Sequence, residues 1–536
     1  MSDGGGRERW DDSRSAAGDR NPWLIACVVS IATFMQVLDT AIANVALRHI
    51  AGSLGADTDE ATWIVTTYLI ASAVIIPVSG WLSGVVGRKT YYMGCVAVFT
   101  VSSVLCGLAP SLGALIFFRI LQGLGGGGMA PSEQAILADT FPPWRRAQAF
   151  ALYGIAVIVA PTVGPTLGGW ITDDYSWHWI FFINGPIGLI SLMLVQWLVV
   201  EPEALKEERR DRWARGIKPD WVGFLLVALF LGCLEVVLDR GQQDDWFSSS
   251  FIVFFTAVSA LALVLFVPWE LSRDDPIVDV RLLFHRQFGT AFMVMMTVGI
   301  VLFGSTQFIP RLLQEGFQYT ALLSGLALMP GGIAMLVMMP LAGQLSNRVQ
   351  PRTLMAVGMA IVAIAMWAST SISPDTSFGW FAWMRVLQVV SLPFLFIPIN
   401  TVAYSELRPE DTGQASSLIN VARNLGGSIG ISMATTLLAQ RAQFHQARLV
   451  EHIYPSSLSF QHWSDRIVQY FVQQGSGPAQ AKARALGWIG QAVLTQSTLL
   501  SYLDVFWGAA LFSALMVPVT LSLKSVDLSR GSPAGH

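Results

Sequence analysis

Asp39 within MQVLDTAIANVAL and Arg119 within LIFFRILQGL are single charges set in runs of apolar side chains. Charges held away from water are costly unless they are paired or face a cavity, and a carboxylate so held can take up a proton and release it. Reversible proton binding by Asp39, with Arg119 as counter-charge, is the chemistry these residue types offer. Gln122 follows Arg119 at helical spacing, and Arg385 with Gln388 repeats that pair farther along. Glu133, Gln307 and Asn400 are further polar side chains in apolar runs, suited to contacting a guest molecule in a cavity. A structural reading stands beside each: Asp39 bonded to a neighbouring helix, Arg119 in a static ion pair, Arg385 reaching from near the start of its run toward a polar boundary.

Other chemistries find no support. The four cysteines, Cys27, Cys95, Cys106 and Cys233, fall in apolar runs with no paired spacing, so neither disulfides nor a metal site is expected. Gly426–Gly430 matches GxSxG and Gly123–Gly128 matches GxGxxG, yet both lie inside apolar helices with no preceding strand. Walker and HExxH motifs are absent. No enzyme, no cofactor and no ATP-driven step is expected, and the near-neutral charge carries no nucleic-acid signal.

The elements that position these residues are membrane helices. Apolar residues make up 53% of the 536 and charged residues 13%, a composition that belongs to a polytopic membrane protein. A hydrocarbon core of about 30 Å takes roughly 20 helical residues. Fourteen such runs are expected, near 23–46, 62–82, 91–109, 112–137, 149–171, 179–200, 221–239, 250–271, 289–311, 321–345, 353–372, 380–405, 413–438 and 501–523. Threaded in that order, 22 of the 33 basic residues lie in the tails and the loops on the side of the termini. The short loops opposite hold Arg48, Arg240 and Arg311. Both termini are therefore expected in the cytoplasm.

The chain also repeats. Residues 119–149 align without gaps on 385–415, matching Arg119 with Arg385, Gln122 with Gln388 and Gln148 with Gln414. GWLSGVVGRKT from Gly80 likewise aligns on GQLSNRVQPRT from Gly343. The expected organisation is all-α, six plus two plus six helices: a disordered tail 1–22, a first half 23–200, a loop and two inserted helices 201–272, a second half 273–523, and a tail 524–536. Parallel halves of this kind place a path at their interface. The second half contains an outward loop 439–500, in which PAQAKARALGWIGQAVLTQ from Pro478 is expected to form a short amphipathic helix.

GIAVIVAPTVGPTLGGW, from Gly154 to Trp170, interrupts a helix with Pro161, Gly164, Pro165, Gly168 and Gly169, so the segment is expected to bend and to slide against a partner across the half-to-half contact. The run resembles the antiporter signature of major facilitator drug exporters. LDTAIANVAL from Leu38, WHWIFFINGPIG from Trp177, DRGQQDDWF from Asp239 and RNLGGSIG from Arg423 are similar to motifs of the fourteen-span drug:proton antiporters, most closely the EmrB type. Two departures stand out: Gly84 where many members have aspartate, and His178 where arginine is usual. The resemblance implies a proton-driven exporter of amphipathic small molecules in the inner membrane, with Asp39 and Arg119 in proton coupling. It also implies a periplasmic adaptor and outer-membrane channel as partners. A metabolite symporter or uniporter, and a non-transporting membrane sensor, are the alternatives.

Overall fold

The computed structural model describes residues 20–523 except 215, 217, 218, 347, 405, 406, 408–410, 452 and 455. The tail positions 1–19 and 524–536 lie outside the described residues. The first part of the chain forms α1 (Pro22–Leu54), α2 (Thr58–Ala61), α3 (Trp63–Val86), α4 (Arg88–Gly107), α5 (Leu112–Thr140), α6 (Pro143–Asp174), α7 (Trp179–Phe182) and α8 (Asn184–Leu198). Next come α9 (Glu203–Ala214), α10 (Trp221–Arg240) and α11 (Ser250–Leu271). The remainder holds α12 (Arg286–Glu315), α13 (Ala321–Leu345), α14 (Pro351–Ser369), α15 (Phe378–Val390), α16 (Pro393–Ala403), α17 (Thr412–Val450), α18 (Leu458–Gln473) and α19 (Pro478–Leu521).

Local sequence sets these limits. Asn21 caps α1 by accepting from the Trp23 amide at 2.9 Å, Pro22 occupies its first turn, and Gly55 ends it at φ 64°. Pro393, which has no N–H to continue the ladder, opens α16 after the break that follows α15. Pro161 and Pro165 stand at a 42° bend in α6.

Each of the fourteen expected spans falls on a helix, with α7–α8 and α15–α16 each forming one broken span. Among the described residues eleven helices are long and apolar enough to cross a membrane, and the bent α6 makes twelve. The other two expected spans fall on α12 and α17, whose 30 and 39 residues are long enough to cross.

Packing repeats the sequence duplication. α1 lies along α6 as α12 lies along α17, α3 along α5 as α13 along α15, and α4 along α8 as α14 along α19. Between the two sets, α6 meets α13 and α17 meets α3, the contacts a pseudo-two-fold axis exchanges. α10 is wedged against α3, α11 and α17. Leu261, Val264 and Leu265 on the outer side of α11 are exposed, as a lipid-facing surface requires.

The expected loop 439–500 is helical instead. α17 continues to Val450, and α19 runs unbroken through 44 residues from Pro478 to Leu521. At 1.5 Å per residue α19 is about 66 Å long, twice the hydrocarbon thickness. The expected short amphipathic helix is therefore the first part of the last span, because no proline interrupts the backbone ladder between Pro478 and Pro518. Asp504 accepts hydrogen bonds from Arg441 and, at 2.7 Å, His445, tying α19 to α17 where the pair leaves the bundle.

Candidate functional site

The sequence singles out Asp39, Arg119 and Gln122, and the fold brings them into one buried cluster. α1, α5 and α8 each contribute. Arg119 Nη1 donates to Asp39 Oδ2 at 2.7 Å, while Gln122 Nε2 at 3.0 Å and Asn184 Nδ2 at 2.7 Å donate to Oδ1. Arg119 also donates through Nε to the Ile64 carbonyl at 3.1 Å and sits 4.4 Å over the Tyr68 ring. Asp39 is 3% exposed and Arg119 0%, so the pair is held by protein neighbours rather than by water, with Arg119 Nη2 left without a hydrogen-bond partner among the described residues. Sequence reading missed Asn184, although it lies in the quoted WHWIFFINGPIG; a neutral amide in an apolar run gives a weaker signal than a charge.

Beside this cluster lies a cavity of about 850 Å³. Tyr68 is the partition: its ring lines the cavity and carries Arg119 on its hidden side. α1 contributes Gln36, Thr40 and Asn44, and α17 contributes Asn420, Arg423, Asn424 and Ser428. The first set recurs every four residues, as do Asn420, Asn424 and Ser428 with Arg423 beside them, so each forms one helix face. That periodicity was available in the sequence, but it is easily lost among uncharged side chains.

Of the candidate cavity residues, Arg385 lies on the wall. Four others are directed elsewhere. Gln122 belongs to the Asp39 cluster, Glu133 accepts from Ser30 at 2.6 Å, Gln388 faces Ser369 on α14, and Asn400 donates to Phe396 of its own helix at 2.7 Å. Each of the four is buried, and none of them lines the cavity. Gln307 is on α12, and its side chain lies outside the described residues. Arg423 lies on the wall as well and donates to the Tyr153 hydroxyl.

In α6, Pro161, Pro165 and Gly169 line the cavity. Gly164 and Gly168 face Ala41 and Ile42 of α1, so their small-residue face packs within the first half and not across to the second. The contact across the halves is made by Gly154, where a Cβ would run into Met339 of α13. This corrects the expectation that the whole glycine face slides between halves.

The cavity reaches one end of the molecule at His49, Asp173, Arg311 and Glu315. At the other, basic end it is shut. A Cβ on Gly80 would meet the Gly413 carbonyl and Ser417 Oγ at 2.8 Å, Ser79 bonds Ser417 at 2.9 Å, and Asn420 donates to Gln134 at 2.8 Å. Arg88 pairs with Asp139 alongside. α9, which sequence reading left inside a loop, straps this end: Trp213 Nε1 donates to the Val85 carbonyl at 3.0 Å, and Arg209 donates to Glu201 at 2.7 Å and to the Val86 carbonyl at 3.3 Å. Arg212 lies over Gly84 and reaches Asp275 at 3.6 Å. The missing aspartate at Gly84 thus makes room for a guanidinium from the linker helix.

Paired helix contacts related by a two-fold, around a cavity shut at one end, form a recurring architecture. Residues 29–431 match the family model described as Major Facilitator Superfamily. The chain belongs to that superfamily. It is 37% identical to the multidrug export protein EmrB of Escherichia coli (strain K12), over 96% of this chain and 98% of that one. It is 34% identical to the fatty acid resistance protein FarB of Neisseria gonorrhoeae, over 95% and 97%. Among solved structures, the proton:xylose symporter XylE bound to 6-bromo-6-deoxy-D-glucose superposes with a TM-score of 0.56 at 15% identity, covering 93% of this chain and 96% of that one, a likeness of fold alone. This superfamily member is a multi-pass membrane transporter of the EmrB-like kind and not an enzyme.

The α1–α6 contact yields a first prediction. A Cβ at Gly164 lies 2.5 Å from that of Ala41, so Gly164→Leu forces α1 from α6 at a cost of about 1–3 kcal/mol. The expected outcome is a lower melting temperature together with impaired transport in proteoliposomes. Unchanged values of both would show that the contact yields freely.

Proposed function

We propose that this transporter exports amphipathic or hydrophobic small molecules in exchange for protons, by alternating access. The observation that carries the reading is the cavity of about 850 Å³, shut at one end and separated by one aromatic ring from the Asp39–Arg119 pair. Its volume suits a drug-sized guest. Its wall combines apolar side chains such as Leu69, Ile76, Leu231 and Leu302 with a few polar ones, which favours amphiphiles over sugars. The relatives' names, multidrug export and fatty acid resistance, agree with such guests.

In this reading the basic end faces the cytoplasm, both termini lie there, and the membrane is the inner one. The structure then stands open to the outside, after substrate release, with Asp39 ionised and held by Arg119, Gln122 and Asn184. Proton uptake weakens the hold of Arg119 and permits the return. One charge moving inward across 100 mV releases about 2.3 kcal/mol, and a pH unit adds about 1.4. Together these sustain a gradient of several hundred-fold for a neutral substrate. Proteoliposomes under an imposed pH gradient, loaded with cationic, neutral and anionic amphiphiles, test this. Movement that ignores the gradient would refute proton exchange.

The assembly belongs to the same reading: a periplasmic adaptor and an outer-membrane channel, engaged by the α17–α18–α19 projection. Trp463, Tyr470, Leu486 and Trp488 are exposed there, as a contact surface requires. Replacing residues 451–477 with a Gly/Ser linker is expected to leave proteoliposome transport intact while lowering cellular resistance and adaptor cross-linking. Equal loss in both assays would assign the projection to the transporter's own stability.

A further inference from the structure

The inserted pair of helices does more than fill a gap between halves, because α10 sends a carboxylate into the cavity wall. Glu235 is 5% exposed and lines the cavity beside Leu231 and Ser428. Its Oε1 accepts from Ser428 Oγ at 2.7 Å. Five acidic residues are buried among the described residues: Asp39, Glu133, Asp220, Glu235 and Glu270. Asp39 pairs with Arg119 and Asp220 with Arg273, whereas Glu133, Glu235 and Glu270 form no ion pair among the described residues. Of those three, Glu235 is the one on the cavity wall. A neutral hydroxyl compensates a buried negative charge only in part, so the site is completed by a cation arriving through the cavity.

We infer that Glu235 is a specificity-determining residue that receives the cationic group of an amphipathic substrate, placing the charge-reading element of this transporter on the inserted helix rather than on either half. The inference rests on the exporter reading for its substrate. The observations behind it are the carboxylate's place on the wall, its single hydroxyl partner and the apolar residues around it. Leu231, one turn away on α10, and Leu302 on α12 provide the surface against which the apolar body of such a guest would lie. An ion held this way in a low-dielectric wall gains far more than at the protein surface.

The test uses two probes of similar shape, the permanent cation tetraphenylphosphonium and the neutral triphenylphosphine oxide, titrated into the purified full-length protein in nanodiscs. Glu235→Gln keeps the size and the acceptor for Ser428. It is expected to lower the cation-over-neutral ratio of binding constants at least tenfold. Ser428→Ala, which frees the carboxylate, is expected to maintain or raise that ratio. A ratio unchanged by Glu235→Gln, a wild type that binds the oxide but not the cation, or a fall with Ser428→Ala equal to that with Glu235→Gln would each overturn the assignment. A wild type that binds tetraphenylphosphonium but does not move it under a pH gradient would count against the exporter reading alone and leave Glu235 as a cation site.

Discussion

Asp39→Asn is expected to reduce pH-gradient-driven export to the leak rate of protein-free liposomes while leaving membrane insertion intact. The carboxylate accepts three hydrogen bonds, from Arg119, Gln122 and Asn184. An amide supplies one acceptor and one donor, so its N–H₂ must face either Arg119 or the pair of side-chain amides. Wherever it points, donor meets donor, and Arg119 loses its charge partner. Breaking a buried pair from one side costs about 3–5 kcal/mol, so a lower melting temperature is expected as well. Substrate binding should survive, since the amide resembles the protonated carboxyl and the cluster lies behind Tyr68 rather than on the wall. Wild-type export under a pH gradient by the folded variant would remove Asp39 from the coupling mechanism.

Gly80→Leu is expected to abolish the shut state of the basic end. The side chain would enter the space now held by Gly413 backbone, Ser417 Oγ and the Gln414 Cα, all within 2.9 Å of the Cβ position. Backbone cannot step aside as a flexible side chain can, and interfaces of this kind switch between packed arrangements instead of deforming smoothly. Ala130 lines the cavity, so an Ala130→Cys reporter reads its accessibility. In the Gly80→Leu background a membrane-impermeant maleimide added at the basic side should label that cysteine, and turnover should cease. Labelling confined to the opposite side would show that α3 and α17 close without this contact.

The positions of the spans were legible because hydrophobic length is a strong signal and the bilayer fixes its scale. α9 was not, since a helix rich in Lys, Arg and Glu that docks by a few residues such as Trp213 looks like a loop in composition. The helical nature of 439–500 was half legible: the Pro478 helix was expected, but its continuity into the last span was not, because the polar residues that precede Leu499 resemble a loop by hydropathy. Within the site, Asp39, Arg119 and Gln122 were found from charge and spacing, and the structure joins them. Gln388 stands out as the repeat of Gln122 and Asn400 by its polarity, and neither signal says toward which neighbour a helix face turns. Glu235 carries no comparable signal, because the inserted helices lack the duplication that pairs Arg119 with Arg385 across the two halves.

α17 carries Asn420, Arg423, Asn424 and Ser428 on the cavity wall and continues without interruption to Val450 in the projection. From Arg423 to Val450 the helix is about 40 Å long at 1.5 Å per residue. A rigid rod of that length is a lever arm. A tilt of about 10° at the cavity would displace its tip by roughly 7 Å, so any reorientation of α17 around a guest would be enlarged toward the projection, and force applied at the tip would return to the cavity wall with mechanical advantage.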